Sequence, residues 1–544
     1  MRARPGKAAI FEQFAADGIP YMFGNPGTVE QGILDEGARS DLSYVLALHE
    51  TVAVGMADGY ARATQRPALV QLHSGVGLGN GIGMLYQAKR GGSPLVVVVG
   101  EAGVRYDAMD GQMAADLVGM ARPVTKYATR VLDPMSVLRT LRRAVKIAMT
   151  PPRGPVVVVL PADVLDQVTT EPAVPTAVPS TRTTPAASDL LAAARTLLDG
   201  RRRLILMGDG VATSGAQSEL TRVAELLNAP VWGVNSSETN FDTTHPLYGG
   251  QLGHMFGADS ARVVADADSV LIVGTYVFPE VFPALASPFH ERARIVHIDL
   301  DPFEIGKNFT ADLGLAADPK FTLAALGDEL TRLAGSAGPA GAGTHPRGAE
   351  PPVRRPAPTA PAGTVLDRFV QRLAERAPSD LVVFDEALTA SGPLGVHLPP
   401  RRPGDFFQTR GGSLGVGIPG AMGAKLARPD LPVVGFTGDG AAMYTFQALW
   451  TAARYGIGAK FVVCNNRRYR LLDANIERYW QDLGVASHEH PAEFDLSHPD
   501  IRFGELAGAL GVEGRRVAAV REVDDAVDAL LAHEGPYLVD LVID

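Results

Sequence analysis

Apolar residues along the chain recur in short uninterrupted runs, separated by helix-length amphipathic stretches. The runs are PALVQLHS, PLVVVVGE and PVVVVLPAD in the first part, RLILMGDG, SVLIVGT and RIVHIDLDP in the middle, and LVVFDEA, PVVGFTGDG and AKFVVCNN in the last. A continuous Val/Ile/Leu run predicts a strand buried on both faces, and such runs joined by helices predict parallel sheets covered on both sides. The expected fold class is therefore α/β, with three doubly wound parallel-sheet domains. Two Pro-rich stretches without helical or strand period, 166–187 and 335–363, read as extended connectors and divide the chain into domains at 1–165, 188–334 and 364–544. No residue-level internal repeat relates the three; their kinship is one of pattern.

Composition narrows the function. A chain of 544 residues with a net charge of -10 has no basic footprint, so nucleic acid and anionic lipid are not expected partners. A small molecule is. The one cysteine, Cys464, excludes an intramolecular disulfide and a Cys-rich metal site, and its apolar run FVVC marks it as core filler. The N-terminal MRARPGKAAIFEQFAADG lacks an apolar core of signal-peptide length, and no window is apolar for the length of a membrane span. The expected location is the cytoplasm.

The most informative chemistry lies in PVVGFTGDG and AKFVVCNN. The first reads as a buried strand that delivers Asp439 to the carboxyl edge of a parallel sheet, where such sheets bind ligands. Gly438 and Gly440 let the backbone approach a phosphate, and the helix that follows offers free N–H groups. The 24 residues 441–464 supply one helix and a return strand, which brings Asn466 back beside Asp439. A carboxylate and an amide oxygen together suit Mg²⁺, with diphosphate oxygens in the remaining positions. The chain carries its own control in Gly208-Asp209-Gly210, where the same spacing ends on Asn235-Ser236. With serine at the ligand position, that copy reads as an ordinary strand–turn–helix.

GDG, 24 residues and NN resembles the diphosphate-binding motif of thiamine diphosphate (ThDP) enzymes of the pyruvate-decarboxylase and acetolactate-synthase type. The resemblance runs in order along nearly the whole chain, through FGNPGTVE (23–30), LALHETVAVGMADGYAR (46–62), LHSGVGLGNGIG (72–83), GPVVVVLPAD (154–163) and GGSLGVGIPGAMGAKLA (411–427). Within that family the motifs are most similar to those of benzoylformate decarboxylases. The resemblance implies pyrimidine-binding, central and diphosphate-binding domains, with ThDP and Mg²⁺ as cofactors. It implies non-oxidative decarboxylation of a 2-oxo acid through an enamine. The alternative is carboligation, in which the enamine attacks a second carbonyl.

Residue by residue, the resemblance makes Glu50 the acid that hydrogen-bonds the pyrimidine ring. The helix dipole alone would not explain an acid in the mostly apolar run YVLALHETVAVGMA. Leu414 matches the side chain over which the cofactor folds, and the Gly412 carbonyl its amino-group acceptor. Asn25, Pro26, Gly27, Thr389, Gly438, Gly440, Ala441 and Tyr469 fall at cofactor-contacting positions. Asp439, Asn466 and the Arg468 carbonyl match the metal ligands. Thr28 takes the place of a substrate-binding serine, and His73 that of an active-site histidine, a residue type suited to proton transfer near neutral pH.

Departures from the family pattern also carry expectations. Val281 stands where benzoylformate decarboxylases have a second histidine, with Tyr276 and Glu280 nearby; His254, His290 and His397 remain open as substitutes. Leu388 and Ala441 replace hydroxyl residues. Gln408 and Asn475 fall near positions that benzoylformate decarboxylases fill with phenylalanine, and Arg410 and Arg470 lie close in sequence, so a substrate with a polar or anionic tail is expected. TYVFPEVF lacks arginines to grip FAD, and no flavin is expected. A nucleotide-binding regulatory protein would want G-x-G-x-x-G with a following acid, which GVGLGNGIG does not supply. A catalytically dead relative would have lost Glu50 or the metal ligands. The family's assembly implies a homodimer at least, and a homotetramer, with active sites between subunits.

Overall fold

The structure, a computed structural model, describes residues 3–336 and 363–543. These form two compact units that contain three six-stranded sheets. The larger unit takes the chain through Pro179, the stretch after the second connector as far as Leu398, and Gln408 onward. The smaller takes the chain from Ser180 and the insertion Pro399–Phe407. The connector 335–363 lies outside the described residues except at its ends.

In the larger unit, the first sheet has the order Ser43–Leu46, Tyr21–Gly24, Ala68–His73, Leu95–Glu101, Val156–Pro161, Tyr127–Arg130, and every pair is parallel. Its central strands are the Val runs read from the sequence: Val96, Val97, Val98 and Val99 are all buried. A strand covered on both faces buries every side chain, each contributing roughly 1.5–3 kcal/mol. The second sheet, which belongs to this unit apart from Phe406 and Phe407 at its edge, runs Phe406–Gln408, Val382–Glu386, Val433–Gly438, Lys460–Asn465, Tyr537–Val542, Glu513–Val517. Numbered along its own segment, each sheet has the order 2-1-3-4-6-5. The shared topology is a kinship that no residue-level similarity revealed.

Two equivalent helices, Glu50–Thr64 and Gly417–Ala427, pack face to face between these sheets. Their glycines set the approach: a side chain on Gly59 would run into the Gly420 carbonyl, and one on Gly423 into the Met56 carbonyl. The first connector is irregular except for Val168–Thr169, which pairs with Arg4–Pro5. Glu171 beside it is buried and accepts from Arg139, Arg142 and the Leu138 N–H.

The smaller unit has the sheet order Tyr248–Gln251, Val231–Gly233, Arg203–Met207, Ser269–Val273, Arg294–Asp299, Leu313–Ala316, again all parallel. Its order, 3-2-1-4-5-6, differs from that of the other two sheets. Ile205, Leu271 and Val296 pack against Leu220, Val223 and Leu326 on one face.

Candidate active site

In open parallel sheets ligands bind where the strand order reverses. The larger unit has two such points, and the predicted residues collect at both.

At the first, strands Tyr21–Gly24 and Ala68–His73 diverge; Asn25, Pro26, Gly27 and Thr28 follow one, and His73 ends the other. Glu50 opens the helix Glu50–Thr64 and is 4% exposed. Both its oxygens are held by amides: Asn25 Nδ2 donates to Oε1 at 3.2 Å and Asn80 Nδ2 to Oε2 at 3.0 Å. His73 Nδ1 lies 2.8 Å from Glu30 Oε2, which also accepts the Gly27 N–H at 2.9 Å. Glu30 is fully buried, and its Oε1 has no partner among the described residues. Burial pushes the Glu30 carboxyl above the ordinary range, with His73 and the Gly27 N–H opposing. A side chain on Gly27 would collide with the His73 ring, so backbone and imidazole are in contact. Thr28 is exposed beside them.

At the second, strands Val382–Glu386 and Val433–Gly438 diverge around a cavity of about 410 Å³. Thr389, Gly412, Leu414, Gly438, Asp439, Gly440, Ala441, Asn466, Arg468 and Tyr469 line it, which accounts for every cofactor and metal residue predicted from the last domain. Asp439 Oδ2 accepts the Arg468 N–H at 3.2 Å, and Asn466 Oδ1 accepts the same N–H at 2.9 Å. The two side-chain oxygens thus converge on one point, as the crossover length requires. Burial pushes the Asp439 carboxyl up, a cost that a divalent cation would offset. Among the described residues no three His, Cys, Asp or Glu side chains form a metal cage. A cation here would rely on one carboxylate, one amide and a carbonyl, a hard oxygen set. Tyr469 packs its ring on Gly440, where any side chain would clash.

Three non-glycine residues at these points adopt left-handed backbone: Ser74 (φ 46°), Leu388 (φ 51°) and Arg467 (φ 58°). They flank His73, Thr389 and Asn466. Each costs on the order of 1 kcal/mol, a strain that clusters at functional sites.

The other GDG has its acid engaged within the smaller unit. Asp209 accepts the N–H groups of Ser237 and Glu238, the Ser237 hydroxyl and Asn240 Nδ2, so its oxygens are occupied by its own unit.

The polar pocket expected from Gln408, Asn475, Arg410 and Arg470 is reduced. Of the four only Arg470 lines the cavity. Gln408 Nε2 donates to the buried Asp385 at 3.1 Å and Arg410 donates to the Gly91 carbonyl. Val281 is exposed, His397 pairs with Asp367 at 2.9 Å, and His290 Nδ1 accepts the Arg292 N–H.

Sequence reasoning missed Asn80, and missed Glu30 as the partner of His73. A signal for Asn80 existed: Gly77 and Asn80 share a face of helix Ser74–Arg90, and the glycine leaves room for Glu50. Also missed was Glu386, which ends strand Val382–Glu386 fully buried and accepts from the Gly415, Val416 and Gly417 N–H groups and the Thr437 hydroxyl. Burial pushes it up to about 7 in spite of these donors.

Comparison with known proteins places the chain in one family. Residues 4–120 match the N-terminal TPP binding domain of thiamine pyrophosphate enzymes, 190–326 the central domain and 391–541 the C-terminal TPP binding domain. A benzoylformate decarboxylase of Pseudomonas aeruginosa is 31% identical over 98% of each chain. A probable acetolactate synthase large subunit of Methanocaldococcus jannaschii is 29% identical, over 99% of this chain and 92% of that one. Among solved structures, a thiamine diphosphate-dependent 4-hydroxybenzoylformate decarboxylase of Rhodococcus jostii RHA1 superposes with a TM-score of 0.87 at 28% identity over 99% of both chains.

Proposed function

Because the chain belongs to the thiamine pyrophosphate enzyme family, we propose that it is a ThDP- and Mg²⁺-dependent, cytoplasmic decarboxylase of a 2-oxo acid. The observation that carries this reading is the convergence of Asp439 Oδ2 and Asn466 Oδ1 on one N–H at the cavity wall. The donor set fits Mg²⁺, and the glycine-flanked acid beside the cavity fits a diphosphate.

When bound, thiamine diphosphate supplies a carbon nucleophile for the 2-oxo group and a sink for the electron pair left when carbon dioxide departs. The chain's residues do the rest. Asp439, Asn466 and the Arg468 carbonyl would hold the metal. The Gly440 and Ala441 backbone and the Thr389 hydroxyl would take diphosphate oxygens. Leu414 and the Gly412 carbonyl would orient the two rings. Glu50, fixed between Asn25 and Asn80, would hold a proton at the pyrimidine nitrogen. The Thr28 hydroxyl would bind the substrate carboxylate. His73, oriented through Nδ1 by Glu30, would deliver or accept a proton at Nε2.

Glu50, Thr28 and His73 line no part of the cavity that carries Asp439. That separation supports a homodimer at least, and a homotetramer by family habit, in which each site joins the two halves from different chains. Arg470 at the cavity wall supports a substrate with an anionic tail, while the engagement of Gln408 and Arg410 elsewhere removes the other support for it. No flavin is proposed.

The proton-transfer dyad of His73 and Glu30 favours release of an aldehyde. A second reading, carboligation, draws on the acetolactate synthase relative. Carbon dioxide release from a panel of 2-oxo acids, with and without an aldehyde acceptor and with Glu50→Gln as control, separates them. Release with free aldehyde supports decarboxylation; release only with an acceptor supports ligation.

A further inference from the structure

Glu386 has no part in the chemistry above, yet one buried carboxylate there joins three walls of the cavity. Its own strand, Val382–Glu386, continues directly into Ala387, Leu388 and Thr389, which line one wall. Its Oε1 accepts the N–H groups of Gly415 at 2.8 Å and Val416 at 3.0 Å, and its Oε2 that of Gly417 at 2.8 Å. These residues follow immediately on Gly412 and Leu414, the second wall. Oε2 also accepts the Thr437 hydroxyl at 3.1 Å, and Thr437 leads through Gly438 to Asp439, the third wall. Every one of the four donors is uncharged. Three of them are N–H groups at the start of helix Gly417–Ala427, where helix termini leave donors without a partner.

The loop is tied elsewhere by the Thr445 hydroxyl, which donates to the Gly415 carbonyl at 2.7 Å, and by the Ser413 N–H, which donates to Gln87 Oε1 at 3.3 Å, but neither bond joins it to the Thr389 or Asp439 walls. Gly411, Gly412 and Gly415 all have left-handed backbone (φ 67°, 81° and 94°), so the loop forms no regular pairing. The fit at Glu386 is close: a side chain on Gly417 would meet Glu386 Oε2 at 2.8 Å. A neutral amide in the same place would turn an NH₂ group toward N–H donors and leave at least one of them without an acceptor.

We infer that Glu386 is the positioning residue that keeps the Leu414 wall, the Thr389 wall and the Asp439 wall in register for the cofactor. The inference rests on the ThDP reading proposed above. Glu386 does not itself line the cavity; it acts through the backbone of Gly415, Val416 and Gly417 and through Thr437.

The test measures apparent ThDP affinity at saturating Mg²⁺, and the rise in melting temperature that ThDP and Mg²⁺ cause, in the wild-type chain and in Glu386→Gln. Val527→Ala, in the core of the distant helix Val523–Ala532, supplies a control that is destabilised without touching the cavity. The expected result is ThDP binding weakened about tenfold or more in Glu386→Gln, the size of a lost hydrogen bond to a charged group, with unchanged affinity in Val527→Ala. A purely structural Glu386 would lower the melting temperature of the cofactor-free protein and leave ThDP affinity at the wild-type value, which overturns the inference. Should Glu386→Gln fail to fold, Thr437→Val removes one donor alone; weaker ThDP binding there supports the inference and wild-type binding overturns it. A wild-type chain that shows no response to ThDP would instead sink the cofactor reading, and this inference with it.

Discussion

His73 Nδ1 stands 2.8 Å from a Glu30 carboxylate that is itself fully buried. An acceptor at Nδ1 keeps the proton on that nitrogen and leaves Nε2 as the working atom. Removing the imidazole therefore removes the proton carrier, whereas neutralising the acid only loosens its tautomer and orientation. We expect His73→Ala to lower kcat for carbon dioxide release by roughly 10²- to 10⁴-fold, and Glu30→Gln by about tenfold, with KM for the 2-oxo acid little changed. Equal losses in the two variants would remove the distinction.

The pair of amides on Glu50 leads to a second expectation. Asn25 and Asn80 each hold one carboxylate oxygen, so truncating Asn80 frees half of the group without touching its chemistry. Glu50→Gln should abolish turnover to within the assay limit, and Asn80→Ala should cost about tenfold in kcat, in line with the loss of a hydrogen bond to a charged acceptor. Steady-state rates at saturating ThDP check both.

Metal dependence can be read against the chain's own control. Chelation should abolish activity and added Mg²⁺ should restore it. Asp439→Asn should raise the Mg²⁺ concentration for half activity by at least about tenfold. Asp209→Asn disturbs a carboxylate in the same GDG setting whose oxygens are filled by Ser237, Glu238 and Asn240. It should lower the melting temperature and leave the Mg²⁺ requirement alone.

These residues also show what the sequence can and cannot disclose. The Asp439–Asn466 meeting was legible because it depends on a short local path: strand, helix, return strand. So were the strands themselves, since burial on both faces leaves an unbroken apolar run. Glu30 and Glu386 were not, because their partners lie across the sheet: His73 is 43 residues from Glu30, and Val416 is 30 from Glu386. Gln408 and Arg410 show the same limit. Resemblance for the first and neighbourhood along the chain for the second put them near the pocket, while their bonds go to Asp385 and to the Gly91 carbonyl. The common 2-1-3-4-6-5 order of two sheets was equally hidden, since strand order leaves no mark on local pattern.

Acid titration of Asp299, far in sequence from the candidate site, gives a stability expectation of definite sign. Burial, reinforced by the nearby Glu304 and Asp301, pushes its carboxyl up to about 7, against 3.8 for an ordinary aspartate, although the Asp301 N–H opposes the shift. The folded state therefore keeps a proton that the unfolded chain has already lost. Stability from this group is fully present below the unfolded value and is lost as pH rises through about 7. The loss is on the order of 4 kcal/mol at most. Melting of the cofactor-free protein should fall between acid and neutral pH, and Asp299→Asn should flatten that fall. An identical pH profile in the variant would show that Asp299 does not titrate there.

The separation of Glu50 from the Asp439 cavity makes a prediction that needs no structure of the assembly. If each site takes Glu50 from one chain and Asp439 from its partner, a dimer of one Glu50→Gln chain and one Asp439→Ala chain carries both lesions in one site and none in the other. Each variant alone has only damaged sites. Random reassociation of equal amounts makes half the dimers mixed, each with one intact site of two, so activity should return to roughly a quarter of wild type. If instead Glu50 and Asp439 of the same chain serve one site, every site in the mixture keeps a lesion and activity stays at the level of the separate variants. Unfolding and refolding the two variants together, followed by the carbon dioxide release assay, decides between shared and self-contained sites.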